Sequence, residues 1–168
     1  RNCRVIGLST DTVLSHQSWS QDICEYATSR LMTTSMNELN FPIIADSDLK
    51  VSTLYGMLDQ ESHDPGNFDP KTRAPLPIRT VFIIDPKRRV RLTMTYPAAV
   101  GRSFDEILRA LDALQRSDSF KIATPADWQQ GQDVIVRFDV TDQEADALFP
   151  NRPEPFKPYL RFTSDPKF

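Results

Sequence analysis

The sequence predicts an α/β domain with a mixed sheet, followed by a small α+β domain. Short apolar runs alternate with helical apolar periodicity along the first part of the chain, a pattern that favours a sheet covered by helices. A strand hairpin then follows at residues 78–96. After Ser117 the composition changes to short segments broken by proline and aromatic residues. We therefore assign residues 1–117 to the first domain and residues 118–168 to the second.

The first part of the chain carries two strand–helix pairs. Residues 4–9 predict a short buried strand, and residues 15–28 predict an amphipathic helix whose apolar side is Trp19, Ile23, Tyr26 and Ala27. Residues 29–40 lack periodicity and are expected to be irregular. A brief extended segment at 41–44 precedes Asp46, which can cap a helix that runs towards Gly56.

The middle of the chain predicts a long loop, a hairpin and a helix. Residues 59–77 contain four prolines and one glycine, which is typical of a loop. Residues 78–85 contain the continuous apolar run Val81–Ile84, which favours a strand buried on both faces. Residues 90–96 alternate and predict a strand with one buried and one solvent-exposed face. Ser103 and Glu106 form a capping box that opens a helix with one apolar side.

The last 50 residues predict a strand at 134–136, a helix after the capping box Thr141-x-x-Glu144, a proline-rich stretch at 150–158 and an extended end. Residues 1–117 predict the order strand, helix, strand, helix, hairpin, helix. This is the layout of the second half of a thioredoxin-like fold. The first half would need strands and a helix upstream of Arg1, so we expect a partial thioredoxin-like fold with a small C-terminal α+β domain.

Composition excludes several classes of function. The chain has 20 basic and 23 acidic residues, mixed along its length, for a net charge of -3, which gives no basic field for nucleic acid or an anionic membrane. The apolar run Val81–Ile84 is far too short for a membrane span. The two cysteines form no CxxC pair and the two histidines are scattered, so we expect no metal, no cofactor, and a reducing intracellular compartment.

Four stretches resemble the one-cysteine peroxiredoxins of the peroxiredoxin 6 type. They are RNCRVIGLSTDTVLSHQSWSQDI, LNFPIIADSDLKVSTLYGMLD, the run from IRTVFIIDPKRRVRLTMTYPA through GRSFDEILRALDALQ, and ATPADWQQGQDVIV with LFP further on. The resemblance implies a thiol peroxidase that reduces hydrogen peroxide and organic hydroperoxides, an external thiol reductant, and a cytoplasmic or mitochondrial location. It also implies a homodimer that pairs the Val90–Tyr96 edge strand with its copy.

The family's catalytic motif, P-x-x-x-T-x-x-C, is absent from the sequence. Cys3 is followed by strand residues, and Cys24 has neither proline nor threonine in register. We therefore expect the chain alone to lack peroxidase activity, with the peroxide-reducing cysteine in a segment before Arg1. Two alternatives stay open: a non-catalytic structural or interaction subunit of peroxiredoxin type, and a different thiol enzyme based on Cys24.

Two arginines match the remaining part of the family's site. The resemblance implies that Arg79 hydrogen-bonds the thiolate and the peroxide and that Arg102 supports this pocket. Arg79 begins a strongly apolar strand, where a buried guanidinium would need an anionic partner. The competing interpretations are a strand-end arginine paired with a structural carboxylate, and, for Arg102, a surface residue beside a helix start.

The other chemically capable residues favour ordinary roles. We expect Cys3 to be a buried, inert thiol on a strand and Cys24 to be partly exposed, with Asp22 and Glu25 disfavouring its thiolate. His16 and His63 are expected to be solvated.

The basic cluster at residues 87–91 predicts a charged hairpin turn and not a nucleic-acid site. Some one-cysteine peroxiredoxins also show a phospholipase activity that uses an aspartate. That position falls at Lys87 here, two residues after Asp85, which argues against this second activity.

Overall fold

The computed structural model describes residues 1–30, 38–58, 61–70, 73–149 and 154–166. These residues divide into two compact units. The first unit comprises Arg1–Phe82 with Thr93–Arg102, and the second comprises Ile83–Leu92 with Ser103–Phe168. The domain boundary after residue 117 stays a prediction.

The first unit begins with a strand–helix–strand arrangement. Strand β1 (Gly7–Ser9) runs parallel to β2 (Ile43–Ala45), with Gly7 opposite Ile43. Helix α1 (Val13–Arg30) lies between them in the chain, as a parallel pair requires a crossover connection. A Cβ atom at Gly7 would come 3.3 Å from a side-chain carbon of Ile43, so the absence of a side chain lets the two strands and their neighbours approach closely.

Helix α1 buries a different face from the predicted one. Its buried residues are Cys24 and Ala27, whereas Trp19 is 46% and Tyr26 55% exposed. The prediction that Trp19 and Tyr26 belong to the packed face was therefore wrong. Cys24 lies eight residues after His16, on the same side of the helix, and His16 is hydrogen-bonded to Ser9 of β1.

Helix α2 (Lys50–Leu54) is short, and Asp46 holds its first turn as predicted. The Asp46 carboxylate accepts hydrogen bonds from the backbone N–H groups of Val51 (2.9 Å) and Ser52 (2.7 Å). The loop predicted at 59–77 contains two single 3₁₀ turns, Glu61–His63 and Pro65–Asn67. Most of the irregular segment predicted at 29–40 lies outside the described residues.

Strands β3 (Arg79–Ile84) and β4 (Val90–Tyr96) are hydrogen-bonded neighbours in a two-stranded sheet. The predicted burial of β3 on both faces is wrong: its central residues are half-buried and Ile84 is 47% exposed. In the described part of the chain no strand pairs with the other edge of β3. From Leu92 to Tyr96, burial alternates as predicted.

The second unit contains α3 (Phe104–Ser119), β5 (Ile122–Ala123), β6 (Val134–Val136), α4 (Asp142–Leu148), β7 (Glu154–Lys157) and β8 (Leu160–Thr163). The four strands form an antiparallel sheet in the order β5-β6-β8-β7. Both predicted helix starts are confirmed. The Ser103 hydroxyl accepts from the Glu106 N–H (3.3 Å), and Thr141 and Glu144 form a reciprocal capping box.

The hydrophobic core of the described residues lies in this second unit. Its members are Ile122, Trp128, Val134, Val136, Val140, Ala145 and Phe149. Trp128 is 1% exposed and its indole N–H donates to the Gln132 carbonyl at 3.0 Å. The first unit leaves large apolar side chains in contact with solvent, among them Leu14 at 75% and Leu54 at 80% exposure. Among the described helices, none has the length and apolar character that crossing a membrane requires.

Candidate functional site

Arg79 is the first residue of β3, and the backbone before it is fixed. The Ile78 N–H donates to the carbonyl of the buried Met57 at 3.0 Å, next to the end of α2. Side chains alternate along β3, so Thr80 points inward while the Arg79 side chain is exposed. The expectation of a buried guanidinium was therefore wrong. Within the described residues, no carboxylate or carbonyl pairs with the Arg79 side chain.

Arg102 lies in the same unit as Arg79 and is also exposed. It directly precedes Ser103, the capping residue of α3. No hydrogen bond or ion pair joins its guanidinium to another described side chain. Arg79 and Arg102 are therefore both exposed cations on the first unit, and each could bind an anion. Their role in a site stays a prediction.

The two thiols are placed in the opposite way to the prediction. Cys3 is exposed: the regular strand begins only at Gly7, and none of the strands in the described ranges pairs with residues 1–6. Cys24 is 6% exposed because it lies on the packed face of α1. Its carbonyl accepts from the Thr28 hydroxyl at 2.9 Å. Neither sulfur lies at the start of a helix, where the helix dipole would stabilise a thiolate.

A polar network that the sequence did not predict joins β1 to α1. The Ser9 hydroxyl donates to Asp11 (Oδ2, 2.9 Å) and lies 2.6 Å from Nε2 of His16. The prediction that His16 is solvated was wrong, since it is half-buried beside Ser9. The seven-residue spacing of Ser9 and His16 carries no sequence signal, because the turn between strand and helix decides whether the two meet.

The basic turn between β3 and β4 is neutralised within the second unit. Asp85 pairs with Arg89 at 2.8 Å, and Arg91 pairs with Asp118 at 2.8 Å. A hydrogen bond from the Arg89 backbone N–H is the main cause that holds the pKa of Asp85 below its usual value, although burial opposes it. These pairs support the interpretation of a charged turn. Asp85 is engaged with Arg89, and Lys87 stands exposed at the position of the family aspartate.

Metal-ligating residues do not gather in the described part of the chain: no group of three or more His, Cys, Asp or Glu side chains there could hold a metal ion. Asp11 and His16, two residue types that can bind metals, are connected through the Ser9 hydroxyl and do not surround a common point.

Two family models match the chain. The AhpC/TSA family matches residues 1–93, and the C-terminal domain of 1-Cys peroxiredoxin matches residues 113–151. A 1-Cys peroxiredoxin of Dictyostelium discoideum is 42% identical over 166 residues, which is 99% of this chain. The chain spans 61% of that relative's length.

Two solved structures are also similar. A peroxiredoxin 6 of Arenicola marina shares 38% identity with a TM-score of 0.82, and a yeast mitochondrial 1-Cys peroxiredoxin shares 41% with a TM-score of 0.80. Each match covers 98% of this chain and 71% of the solved chain. These neighbours confirm the partial thioredoxin-like fold predicted from the order of the elements. The chain belongs to the AhpC/TSA family of peroxiredoxins, in its 1-Cys branch.

Proposed function

We propose that the chain carries the arginine part of a thiol peroxidase site, whose cysteine lies outside these 168 residues. The substrates would be hydrogen peroxide and organic hydroperoxides. Family membership supports this proposal, as do the names of the relatives and the share of the Dictyostelium relative's length that the chain spans. The observation that carries it is the exposed guanidinium of Arg79, which no described carboxylate neutralises.

The chemistry requires a cation at this place. A cysteine thiolate attacks the terminal oxygen of the hydroperoxide, the O–O bond breaks, and the sulfur becomes a sulfenic acid. The departing alkoxide takes up a proton and leaves as an alcohol, or as water when the substrate is hydrogen peroxide. Two equivalents of an external thiol then return the sulfenic acid to the thiol and release a disulfide and water. Arg79 would stabilise the thiolate and the negative charge on the departing oxygen, and Arg102 would support the same pocket.

The thiols of this chain do not supply the nucleophile. The cysteine motif of the family is absent, Cys24 is buried on the packed face of α1, and Cys3 lies before the first strand. The 168-residue chain is therefore expected to show no peroxide turnover above that of an ordinary thiol. Rapid, stoichiometric formation of a sulfenic acid at Cys3 or Cys24 would contradict this.

The role of Arg79 is tested in a longer polypeptide that also contains the family's catalytic cysteine. Arg79→Ala should lower the second-order rate with peroxide by about 10²-fold or more, as loss of a charge-stabilising donor does in other active sites. Arg79→Lys should recover part of the rate, because it restores the charge without the planar fork. The matched control Arg30→Ala, an exposed arginine at the end of α1, should leave the rate unchanged, as should Cys24→Ser. Equal rates for Arg79→Ala and Arg30→Ala would refute the proposal.

The intact mass of the natural polypeptide distinguishes the peroxidase from the alternative, a non-catalytic subunit. If the polypeptide in its natural source has the 19.2 kDa mass of this sequence, the cysteine is not part of it and the non-catalytic role is favoured. A mass larger by several kilodaltons, with a peptide that carries the family motif, would favour the peroxidase.

We further propose a homodimer through β4. This strand pairs with β3 on one edge, and the described residues place no strand against its other edge. An open strand edge is a ready site for pairing with a second chain. Analytical ultracentrifugation should give twice the monomer mass at micromolar concentration, and amide exchange should be slowed along residues 90–96. A monomer over this range would contradict the proposal.

The intracellular location, cytoplasmic or mitochondrial, also stays a proposal. One of the similar structures is of a mitochondrial protein.

A further inference from the structure

The network of Ser9, Asp11 and His16 determines which nitrogen of the imidazole carries a proton. The Ser9 hydroxyl has one hydrogen, and it is donated to the Asp11 carboxylate at 2.9 Å. A carboxylate can only accept, so this assignment follows from the chemistry of the pair. The 2.6 Å contact between Ser9 Oγ and His16 Nε2 must then have the imidazole as donor. Nε2 is therefore protonated, and in the neutral ring Nδ1 is left as an acceptor.

This arrangement also excludes Ser9 as a nucleophile. A serine that attacks a carbonyl gives its proton to the histidine beside it. Here the serine proton lies on the side of Asp11, and the histidine donates towards the serine. Asp11 accepts from Ser9, and Ser9 accepts from His16. This chain of hydrogen bonds orients the imidazole ring, as carboxylates orient the histidines that bind metals.

His16 also lines an open groove of 480 Å³ on the first unit. The volume lies within the usual range for small-molecule sites. One side of the groove is apolar and is formed by Val13, Leu39, Phe41 and Ile43. The polar side includes His16, the amides Gln17 and Gln21, and the carboxylate of Glu38. In the described part of the chain, Nδ1 of His16 has no hydrogen-bond partner.

We propose that this groove binds a small molecule with an apolar body and one O–H donor, and that Nδ1 of His16 accepts that hydrogen bond. The acceptor character of Nδ1 selects a donor, and the apolar side receives the body of the ligand. Glu38 disfavours an anion in the same place. Neither Arg79 nor Arg102 lines the groove, and the proposal does not depend on the peroxidase function.

The probes are phenol, anisole and benzoate, which share an aromatic ring and differ in the polar group. Phenol donates a hydrogen bond, anisole cannot donate one, and benzoate carries a negative charge. Each is titrated to millimolar concentration into the isotope-labelled 168-residue chain at pH 8. Ring ¹⁵N shifts report the tautomer of His16, and the side-chain amide signals of Gln17 and Gln21 report binding.

Phenol should shift the His16 and glutamine signals saturably, and at least tenfold more tightly than anisole or benzoate. His16→Phe keeps a ring of similar size but removes the acceptor, so the preference for phenol should disappear. His63→Phe is the matched control, since His63 is exposed and outside the groove, and binding should be unchanged. A ring protonated at Nδ1, equal affinities for phenol and anisole, or no saturable shift would each overturn the proposal.

Discussion

Replacing Asp46 by alanine removes the acceptor that holds the first turn of α2. The Asp46 side chain is 2% exposed, and it accepts from the N–H groups of Val51 at 2.9 Å and Ser52 at 2.7 Å. Ser52 is fully buried, so its N–H would lose its only acceptor, whereas the half-buried Val51 can turn to water. One hydrogen bond to a charged group contributes about 1.5–3 kcal/mol. We expect Asp46→Ala to lower the free energy of unfolding by about 2–3 kcal/mol.

Asp48 provides the matched control two residues away. It pairs with Lys50 at 2.7 Å, but the two side chains are 57% and 83% exposed. Exposed ion pairs contribute about 0–1 kcal/mol, so Asp48→Ala should have a small effect. Urea unfolding followed by circular dichroism measures both variants, and amide exchange at Ser52 locates the loss. Equal effects of Asp46→Ala and Asp48→Ala would refute the reasoning.

The same carboxylate predicts a pH dependence. Burial raises the pKa of Asp46, but the hydrogen bonds from Ser52 and Val51 outweigh it and hold the pKa below its ordinary value. A carboxyl whose folded pKa is lowered contributes its stability fully above the unfolded pKa, which is about 3.9 for aspartate, and loses it as the pH falls through the folded pKa. The stability difference between the parent chain and Asp46→Asn should therefore be constant above about pH 5 and shrink in acid. A difference that does not change down to about pH 2 would contradict this.

Further predictions concern the thiols, the β3–β4 turn and the C-terminal sheet. Cys3 should react with iodoacetamide in the folded chain, while Cys24, at 6% exposure, should react only on unfolding; mass spectrometry of the labelled peptides distinguishes them. Arg88 has a left-handed backbone with φ 63°, so Arg88→Gly should stabilise the turn by up to about 1 kcal/mol, whereas Lys87→Gly should not. Arg161 is 7% exposed and donates to the Val140 and Arg137 carbonyls; Arg161→Met should cost about 2 kcal/mol in urea unfolding, since the buried Val140 carbonyl loses this donor, whereas the Arg137 carbonyl keeps the Val140 N–H.

Sequence patterns predicted the helices whose starts are decided by near neighbours in the chain. Thr141 and Glu144 are three residues apart and form both bonds of the predicted capping box. At Ser103 only one of the two bonds forms: the hydroxyl accepts from the Glu106 N–H, while the Glu106 carboxylate pairs with Arg109. Asp46 was also correctly assigned to α2. Such contacts depend on backbone geometry within one turn, so they can be predicted without knowledge of the rest of the fold.

The candidate site was predicted less well. The resemblance identified Arg79 and Arg102 as candidates, but the burial predicted for Arg79, for both cysteines and for His16 was wrong. A strand's apolar composition indicates that it can be buried on both faces. Whether it is buried depends on which elements lie against it, and β3 has one described partner strand.

The sequence by itself determined the family, the order of the strands and helices apart from β5 and β7, and the absence of the catalytic cysteine motif. These follow from local residue order and from motifs whose members are close in the chain. Only the tertiary structure decided which face of α1 is buried, that Arg91 pairs with Asp118, and that Ser9 orients His16. The physical reason is that such contacts depend on the rotation and spacing of whole elements, which are fixed by packing between segments distant in the chain and are not encoded in any single stretch.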